Sequence, residues 1–265
     1  MQVVELLKEY QALNLSQNIN YDKFSRYSIT HHSTSLEGST LTQIETNLLL
    51  DENLTPKGKP IEYSLMTLDH ESALLFIIDA AKQNTKITSE FIQQVNAKVM
   101  AKTGSVYNTV FGEIDASKGA FRKGNVVAGN RYFPNFDKVE ALTKKLTDTI
   151  ASKIDSLTDV SKQLELSFDA HFDLVSIHPF YDGNGRTSRL LMNYIQLHYN
   201  LPMSVVFKED KADYITALEE TRNNEDLKAF RDFMTEQYIK FLNQEIQNCK
   251  AANKKNNGTG FSMIF

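Results

Sequence analysis

A single cysteine, Cys249, stands among the 265 residues. That excludes an internal disulfide and any cysteine-built metal site, so folding does not depend on an oxidising compartment. Glycine (11) and proline (5) are scarce, while Leu, Ile, Lys, Glu and Gln are plentiful, which favours helix over a many-stranded sheet. The longest unbroken apolar run, Ala73 to Ile78, is far too short to cross a bilayer. The first residues lack a basic stretch followed by an apolar one, so no secretory signal is visible. A cytoplasmic protein with no membrane partner is expected. Excess positive charge is also missing. A net charge of −4 argues against a generic nucleic-acid binder, which needs a basic face for phosphates. Arg122, Lys123, Arg186 and Arg189 could still line a local basic pocket. The length allows a sizeable core, in one large domain or a domain with an attached lobe.

Helical patterning dominates what is there. Residues 1 to about 30 read as polar helix, with Tyr21, Phe24 and Tyr27 on one face, and Gly38 is a natural stop. A helix from Thr40 with Leu41, Ile44 and Leu48 as its apolar positions follows, and Thr42 with Glu45 fits a capping box. Pro56, Gly58 and Pro60 mark a loop. Glu62 to Gln83 predicts a well-buried helix, and Thr88–Ser89 opens another through Phe91, Ile92, Val95 and Val99. Between Thr103 and Asn135 the texture turns to Gly, Val, Phe, Tyr and Asn, with turn signals at 117–119 and 127–130, predicting a loop with a β-hairpin. Val139 to Leu157 is amphipathic. Lys162 to Ile177 is apolar on two faces, the mark of a buried central helix. Further helices are expected at about 184–199, 212–220 and 226–247, with a polar tail over 249–265. The fold class is mainly α with one small hairpin.

The chemistry concentrates in His178-Pro179-Phe180-Tyr181-Asp182-Gly183-Asn184-Gly185-Arg186, with Arg189 three residues on. Gly183, Asn184 and Gly185 can turn the backbone so that several N–H groups face one way, at a helix start where unpaired N–H groups and the dipole favour an anion. Arg186 and Arg189 share a helix face and can reach along one phosphate chain. Asp182 is a hard oxygen ligand suited to Mg²⁺ that also touches phosphate oxygens. His178 can accept a proton from a hydroxyl at neutral pH. Singly, each feature is usually structural; their joint occurrence after a buried helix points to a nucleotide site.

The stretch resembles the Fic-domain signature, His-Pro-Phe-x-Asp-Gly-Asn-Gly-Arg-x-x-Arg, at every fixed position. The resemblance spans about residues 20 to 245. It implies a Fic-type helical core with a β-hairpin flap that docks a target side chain, and transfer of AMP from Mg-ATP to a Ser, Thr or Tyr hydroxyl of a target protein. By that resemblance His178 is the general base and Asp182 the Mg²⁺ ligand. Gly183, Asn184, Gly185, Arg186, Thr187, Ser188 and Arg189 form the nucleotide site, Arg186 holding the α/β-phosphate region and Arg189 the γ-phosphate. The flap falls near 117–133, with Phe121 and Arg122 at its docking side. The family's phosphate-transferring members tend to carry Lys where Gly185 stands, so Gly185 suggests the AMP-transferring type. Residues 1–100 would then be an N-terminal helical region and 101–248 the core, with the signature loop at 178–189.

Upstream, Ser33-Thr34-Ser35-Leu36-Glu37-Gly38 fits the family's inhibitory pattern, Ser/Thr-x-x-x-Glu-Gly/Asn. It has Leu36 where Ile is common, and the next residue is Ser39 where Asn is frequent. The resemblance implies that Glu37 pairs with Arg189, displacing the γ-phosphate, with Ser33 and Gly38 completing the pattern. In some members the same glutamate helps remove AMP. A nucleotide-responsive interaction module and a mainly AMP-removing enzyme stand as alternatives, and a homodimer burying Glu37 is compatible with the resemblance. His31–His32 makes a poor metal site, because adjacent side chains diverge. A His171/His178/Asp182 metal site is conceivable, but His171 reads as core. Tyr214, Asn223 and Asn193 fall where the family contacts adenine or nearby, with packing roles equally open.

Overall fold

The computed structural model describes residues 2–13, 21–129 and 131–258, and side chains through residue 250. Asn130, in the expected turn, and 259–265, at the end of the polar tail, lie outside the described residues. The helices in order are α1 (Gln2–Ala12), α2 (Tyr21–Leu36), α3 (Gln43–Glu52), α4 (Ile61–Lys82), α5 (Ser89–Val99), α6 (Val139–Ile154), α7 (Val160–Ile177), α8 (Asn184–His198), α9 (Lys211–Asn224) and α10 (Lys228–Gly258). Two short antiparallel hairpins interrupt them: β1 (Val106–Thr109) with β2 (Gly112–Asp115), and β3 (Val127–Ala128) with β4 (Arg131–Tyr132). Among the described residues no helix is long and apolar enough to cross a membrane.

Local chemistry sets several boundaries, those at Thr42 and Thr88 as the sequence predicts. Thr42 caps α3 in a reciprocal capping box with Glu45, satisfying two N–H groups that helix geometry leaves unpaired. Thr88 caps α5 through the Phe91 N–H, and Asp159 caps α7 through that of Lys162. Three expectations shift. Two hairpins form where one was expected. In α3, Ile44 is 72% exposed and Leu48 37%, whereas Thr46 and Leu49 are buried; the face turned to the core sits one residue round from the one the apolar pattern marks. Helix α10 runs through Gly258, beyond the expected start of the tail at 249, because no Gly or Pro interrupts Lys228–Asn257.

The core is built round α7 and α8, which pack together. One cluster of buried apolar side chains runs from Leu7 to Leu242. Every residue of α8 from Arg186 to Gln196 is buried, so this helix is enclosed on all sides. Helices α4 and α5 cover one flank of α8, while α6 and α10 cover α7. Helix α2 crosses α4 and reaches α8. That placement carries the end of α2 to the start of the signature helix. The α7–α10 contact is pinned by Arg231, which donates to both carboxylate oxygens of Asp169 at 2.7 and 2.6 Å.

Leu174, fully buried in the last turn of α7 before the loop, is the position where a cavity should be most costly. Leu174→Ala should lower the unfolding free energy by about 2–5 kcal/mol, read by denaturant unfolding; a loss below about 1 kcal/mol would mean that the α7–α8 core is not close-packed there.

Candidate active site

Helix α7 ends on a left-handed residue. His178 takes φ 53°, ψ 60° and donates its N–H to the Leu174 carbonyl at 3.0 Å, a conformation few non-glycine residues adopt without support. The loop that follows is closed by Asn184, whose Oδ1 accepts from the Phe180 N–H and whose Nδ2 donates to the Phe180 carbonyl, both at 2.9 Å. The Asn184 side chain is therefore a clasp across the loop. Gly183 sits at φ 77°, where an added Cβ would approach Met100 Sδ and Asn96 Nδ2 within 3 Å. The carbonyl of Gly183 accepts from Thr187 N–H and starts α8, leaving the first-turn N–H groups to point out of the helix. Asn96 of α5 supports both sides, donating to the Asp182 carbonyl and to Thr187 Oγ1 at 3.1 Å. Sequence reasoning missed Asn96; its only signal was a polar residue beside the apolar positions of α5.

The signature side chains divide into two sets. Arg186 is buried, holds Met100 Sδ, the Val99 carbonyl and Asp182 Oδ1 only at 3.3–3.4 Å, and leaves Nε without a partner among the described residues. A buried guanidinium so loosely satisfied is suited to receive an anion. Asp182 keeps 54% of its side chain exposed, and its Oδ1 accepts the Gly183 N–H. Among the described residues no group of three or more His, Cys, Asp or Glu side chains could hold a metal. One exposed carboxylate fits Mg²⁺, which ordinarily takes one or two carboxylates and completes its shell with phosphate oxygens and water. Thr187 and Ser188, expected in the nucleotide site, turn inward instead. Both are buried; Thr187 Oγ1 is held by Asn96, and Ser188 Oγ donates to the Asn184 carbonyl. With 3.6 residues per turn, they fall on the opposite side of α8 from the anion-facing positions.

The flap segment is fastened to the base. Arg122 is 1% exposed and donates from Nε to the His178 carbonyl (2.8 Å), from one terminal nitrogen to Gly124 (2.9 Å) and from the other to Pro134. Its own N–H reaches the Pro179 carbonyl at 2.9 Å. The side chain expected to meet a target is thus an internal staple joining both ends of the flap to the loop. Phe121 packs on Phe180, ring centroids 5.5 Å apart. Tyr107 of β1 stacks on Tyr181 at 4.4 Å, bringing the first hairpin to the same rim.

His178 itself lies under Phe133, ring centroids 3.8 Å apart. Nδ1 is 3.4 Å from the Val175 carbonyl, an atom that can only accept, so Nδ1 carries the proton and Nε2 is left as the acceptor. Burial pushes the imidazole down to about 4, with Arg131 and Arg122 adding to the effect and the Val175 contact and Glu37 opposing it. The ring is therefore neutral at physiological pH.

Glu37 and Arg189 meet at the end of α2. Arg189 donates from Nε to Ser33 Oγ at 2.9 Å, and from a terminal nitrogen to the Ser33 carbonyl at 3.0 Å and to Glu37 Oε1 at 2.5 Å. Gly38, at φ 102°, lets the chain turn away after α2. Arg189 is 6% exposed and the Glu37 side chain 30%. A Cβ at Gly185 would come within 3 Å of Glu37 Oε1, so a side chain there would push the carboxylate from its present place. Burial works against ionisation of Glu37, but Arg189 and Arg186 outweigh it and hold the carboxyl below its usual range. Behind α2, Thr30 donates to Glu71 Oε2 and meets His70 Nδ1, and Arg26 pairs with Glu71. A cavity of about 10 Å³, enough for roughly one water, separates His70, Ser33, Arg189, Asn193 and Ser204.

The other candidates divide: Tyr214 and Asn193 adjoin Arg189, and the rest stand apart. His31 Nδ1 faces Thr46, and His32 Nδ1 accepts the Lys208 N–H. His171 is fully buried with Nε2 2.9 Å from the Tyr214 hydroxyl, and Tyr214 also hydrogen-bonds Arg189, so it links His171 to the site. Asn193 donates to the Ser204 carbonyl, while Asn223, near the end of α9, is exposed.

Residues 86–196 match the Fic/DOC family. This stretch is a Fic domain. Over 207 residues the chain is 29% identical to a protein adenylyltransferase Fic from Drosophila willistoni, covering 78% of this chain and 39% of that protein; the Drosophila melanogaster counterpart is 28% identical over the same span, with the same coverage. The chain thus spans about two fifths of the length of these relatives. Among solved structures, a Fic-domain-containing signaling protein from Bacteroides thetaiotaomicron superposes with a TM-score of 0.80 at 23% identity, over 95% of this chain and 98% of the other. Fic-1 from C. elegans (residues 134–508) gives 0.73 at 22% identity, over 93% and 70%. Those likenesses establish the Fic fold for nearly the whole chain, including the helices that precede the matched domain.

Because the folded-state carboxyl of Glu37 is depressed, its contribution to stability is present above the ordinary value of 4.5 and is lost as pH falls through the lowered one. The unfolding free-energy difference between wild type and Glu37→Gln should therefore stay flat from pH 8 to pH 6 and shrink only in acid below the ordinary carboxylate range. Chemical denaturation across that series checks it; a difference that decays near pH 6 would contradict the ion pair.

Proposed function

We propose that the protein is a self-inhibited adenylyltransferase that moves AMP from Mg-ATP to a Ser, Thr or Tyr hydroxyl of a target protein. The observation that carries this reading is the convergence of an acceptor Nε2 on His178, an under-satisfied buried Arg186 and an open helix N-terminus at one loop, with Glu37 on the second arginine. The names of the Drosophila relatives support adenylyl transfer. In this reading the triphosphate lies along the first turn of α8, where the N–H groups and helix dipole offset its charge. Arg186 takes the α/β region and Arg189 the γ-phosphate. Asp182 would hold Mg²⁺, which would supply charge neutralisation across the phosphate oxygens.

The target hydroxyl attacks the α-phosphorus, a new O–P bond forms, and the bond to the β-phosphate oxygen breaks. The hydroxyl proton passes to His178 Nε2, and pyrophosphate leaves with the electron pair of the broken bond. Arg186 and the cradle stabilise the charge that develops on the α-phosphate oxygens. With Arg189 committed to Ser33 and Glu37, the γ-phosphate loses its partner and ATP sits unproductively. Charge-assisted hydrogen bonds contribute about 1.5–3 kcal/mol each, so removing this competitor should raise turnover by roughly ten- to a hundredfold.

The commitment of Arg189 also favours a second reading, a nucleotide-responsive interaction module with little turnover. AMP removal is a further possibility, because the Glu37 carboxylate lies beside Gly185, where it could position a water. Incubation of wild type and Glu37→Gly with ATP labelled at the α- or γ-phosphate, Mg²⁺ and a lysate separates these. The expected result is covalent α-label on protein that strengthens in the variant, with no γ-label; adding His178→Ala abolishes it while ATP binding persists. Transfer of γ-label alone overturns adenylyl transfer, and ATP binding without any transfer by Glu37→Gly favours the module.

A further inference from the structure

Phe133 follows β4 directly and lies at the far end of the flap from Arg122. Its ring covers the imidazole of His178 with planes 22° from parallel, and the Arg131 guanidinium in turn sits over the Phe133 ring, 4.4 Å from its centroid. The backbones on either side of this stack share one support. Arg122 donates to the carbonyl of Pro134, next to Phe133, and to that of His178. The two rings are therefore set face to face by a single buried guanidinium.

Among the described residues the imidazole makes one hydrogen-bonding contact. The 3.4 Å separation of Nδ1 from the Val175 carbonyl is longer than a well-made N–H···O bond and constrains rotation weakly. An offset or tilted aromatic stack at close range restricts the ring more strongly and excludes water from one face. A base that must meet an attacking hydroxyl at Nε2 depends on that orientation.

We propose that Phe133 is a positioning residue for the base: its ring fixes the plane of the His178 imidazole and shields one face from water, so the flap sets the readiness of the base. The proposal rests on the reading of His178 as the base. Because β4 leads straight into Phe133, a target that docks on the β3–β4 hairpin and shifts it moves the ring that holds His178. Target binding and base alignment are then coupled through one residue.

The test uses the full chain, with Phe133→Leu, which keeps the position apolar, and Phe133→Tyr, which keeps the aromatic face. The His178 ring signals are followed by NMR, assigned among the six histidines by their loss in His178→Gln. The charged groups facing this imidazole are Arg122 near the start of the flap, Arg131 on β4 and Glu37 after α2, and all stay in both variants. In wild type the ring protons should show the upfield displacement of a stacked ring and titrate near 4. Phe133→Leu should remove the displacement and move the midpoint up toward 6.5, while Phe133→Tyr preserves both. Unchanged shifts and midpoint in Phe133→Leu would overturn the proposal. In a Glu37→Gly background, Phe133→Leu should lower kcat of adenylyl transfer roughly tenfold with KM for ATP unchanged, and Phe133→Tyr should restore it. A change confined to KM for ATP would also overturn it. If the Glu37→Gly chain transfers nothing, the adenylyltransferase reading falls, yet the NMR arm still decides whether Phe133 holds the ring.

Discussion

The contact between Arg189 and the end of α2 is the constraint on which the arrangement of the site depends. It is a buried guanidinium that must be satisfied, because an unpaired charge in that position would be strongly destabilising. Ser33 supplies a hydroxyl and a carbonyl, and Glu37 supplies the opposite charge. The same demand can be met by a phosphate. Two anions that compete for one arginine make a switch without any large change of fold, provided that α2 can yield.

Several features of the structure serve that competition. Helix α2 is held against α4 by Arg26, Thr30, Glu71 and His70, so Glu37 arrives on a supported element rather than a loose loop. Gly185 leaves room for the carboxylate; a side chain there would evict it. On the opposite side of the loop, Arg122 and Phe133 fasten the flap to His178. In the proposed reading the flap acts on His178 and α2 on Arg189, at different atoms of one short stretch.

Much of this was legible in the residue order. The double-faced apolar pattern of 162–177 marks α7 as central, and the helix starts at Thr42 and Thr88 follow from side-chain chemistry. The signature names its own loop because titratable, glycine and arginine positions are spaced by a turn and a helix start. What stayed hidden has a common physical cause: burial decided by tertiary contact. Thr187 and Ser188 read as part of the nucleotide site, yet α8 is enclosed, so their side chains bond inward. Arg122 reads as a surface cation, but three carbonyls converge on it from separate segments. Ile44 and Leu48 read as core, although α3 presents Thr46 and Leu49 instead. The stack of Phe133 on His178 joins residues 45 apart in sequence, and no local pattern reports it.

The central claim is that Glu37 and the terminal phosphate of ATP compete for Arg189. It is tested most directly by calorimetric affinities of AMP, ADP and ATP with Mg²⁺ for wild type and Glu37→Gly. The account predicts that the variant gains affinity for ATP by about tenfold or more while its affinity for AMP, which carries no γ-phosphate, stays the same. Equal gains for all three nucleotides, or none for ATP, would contradict it.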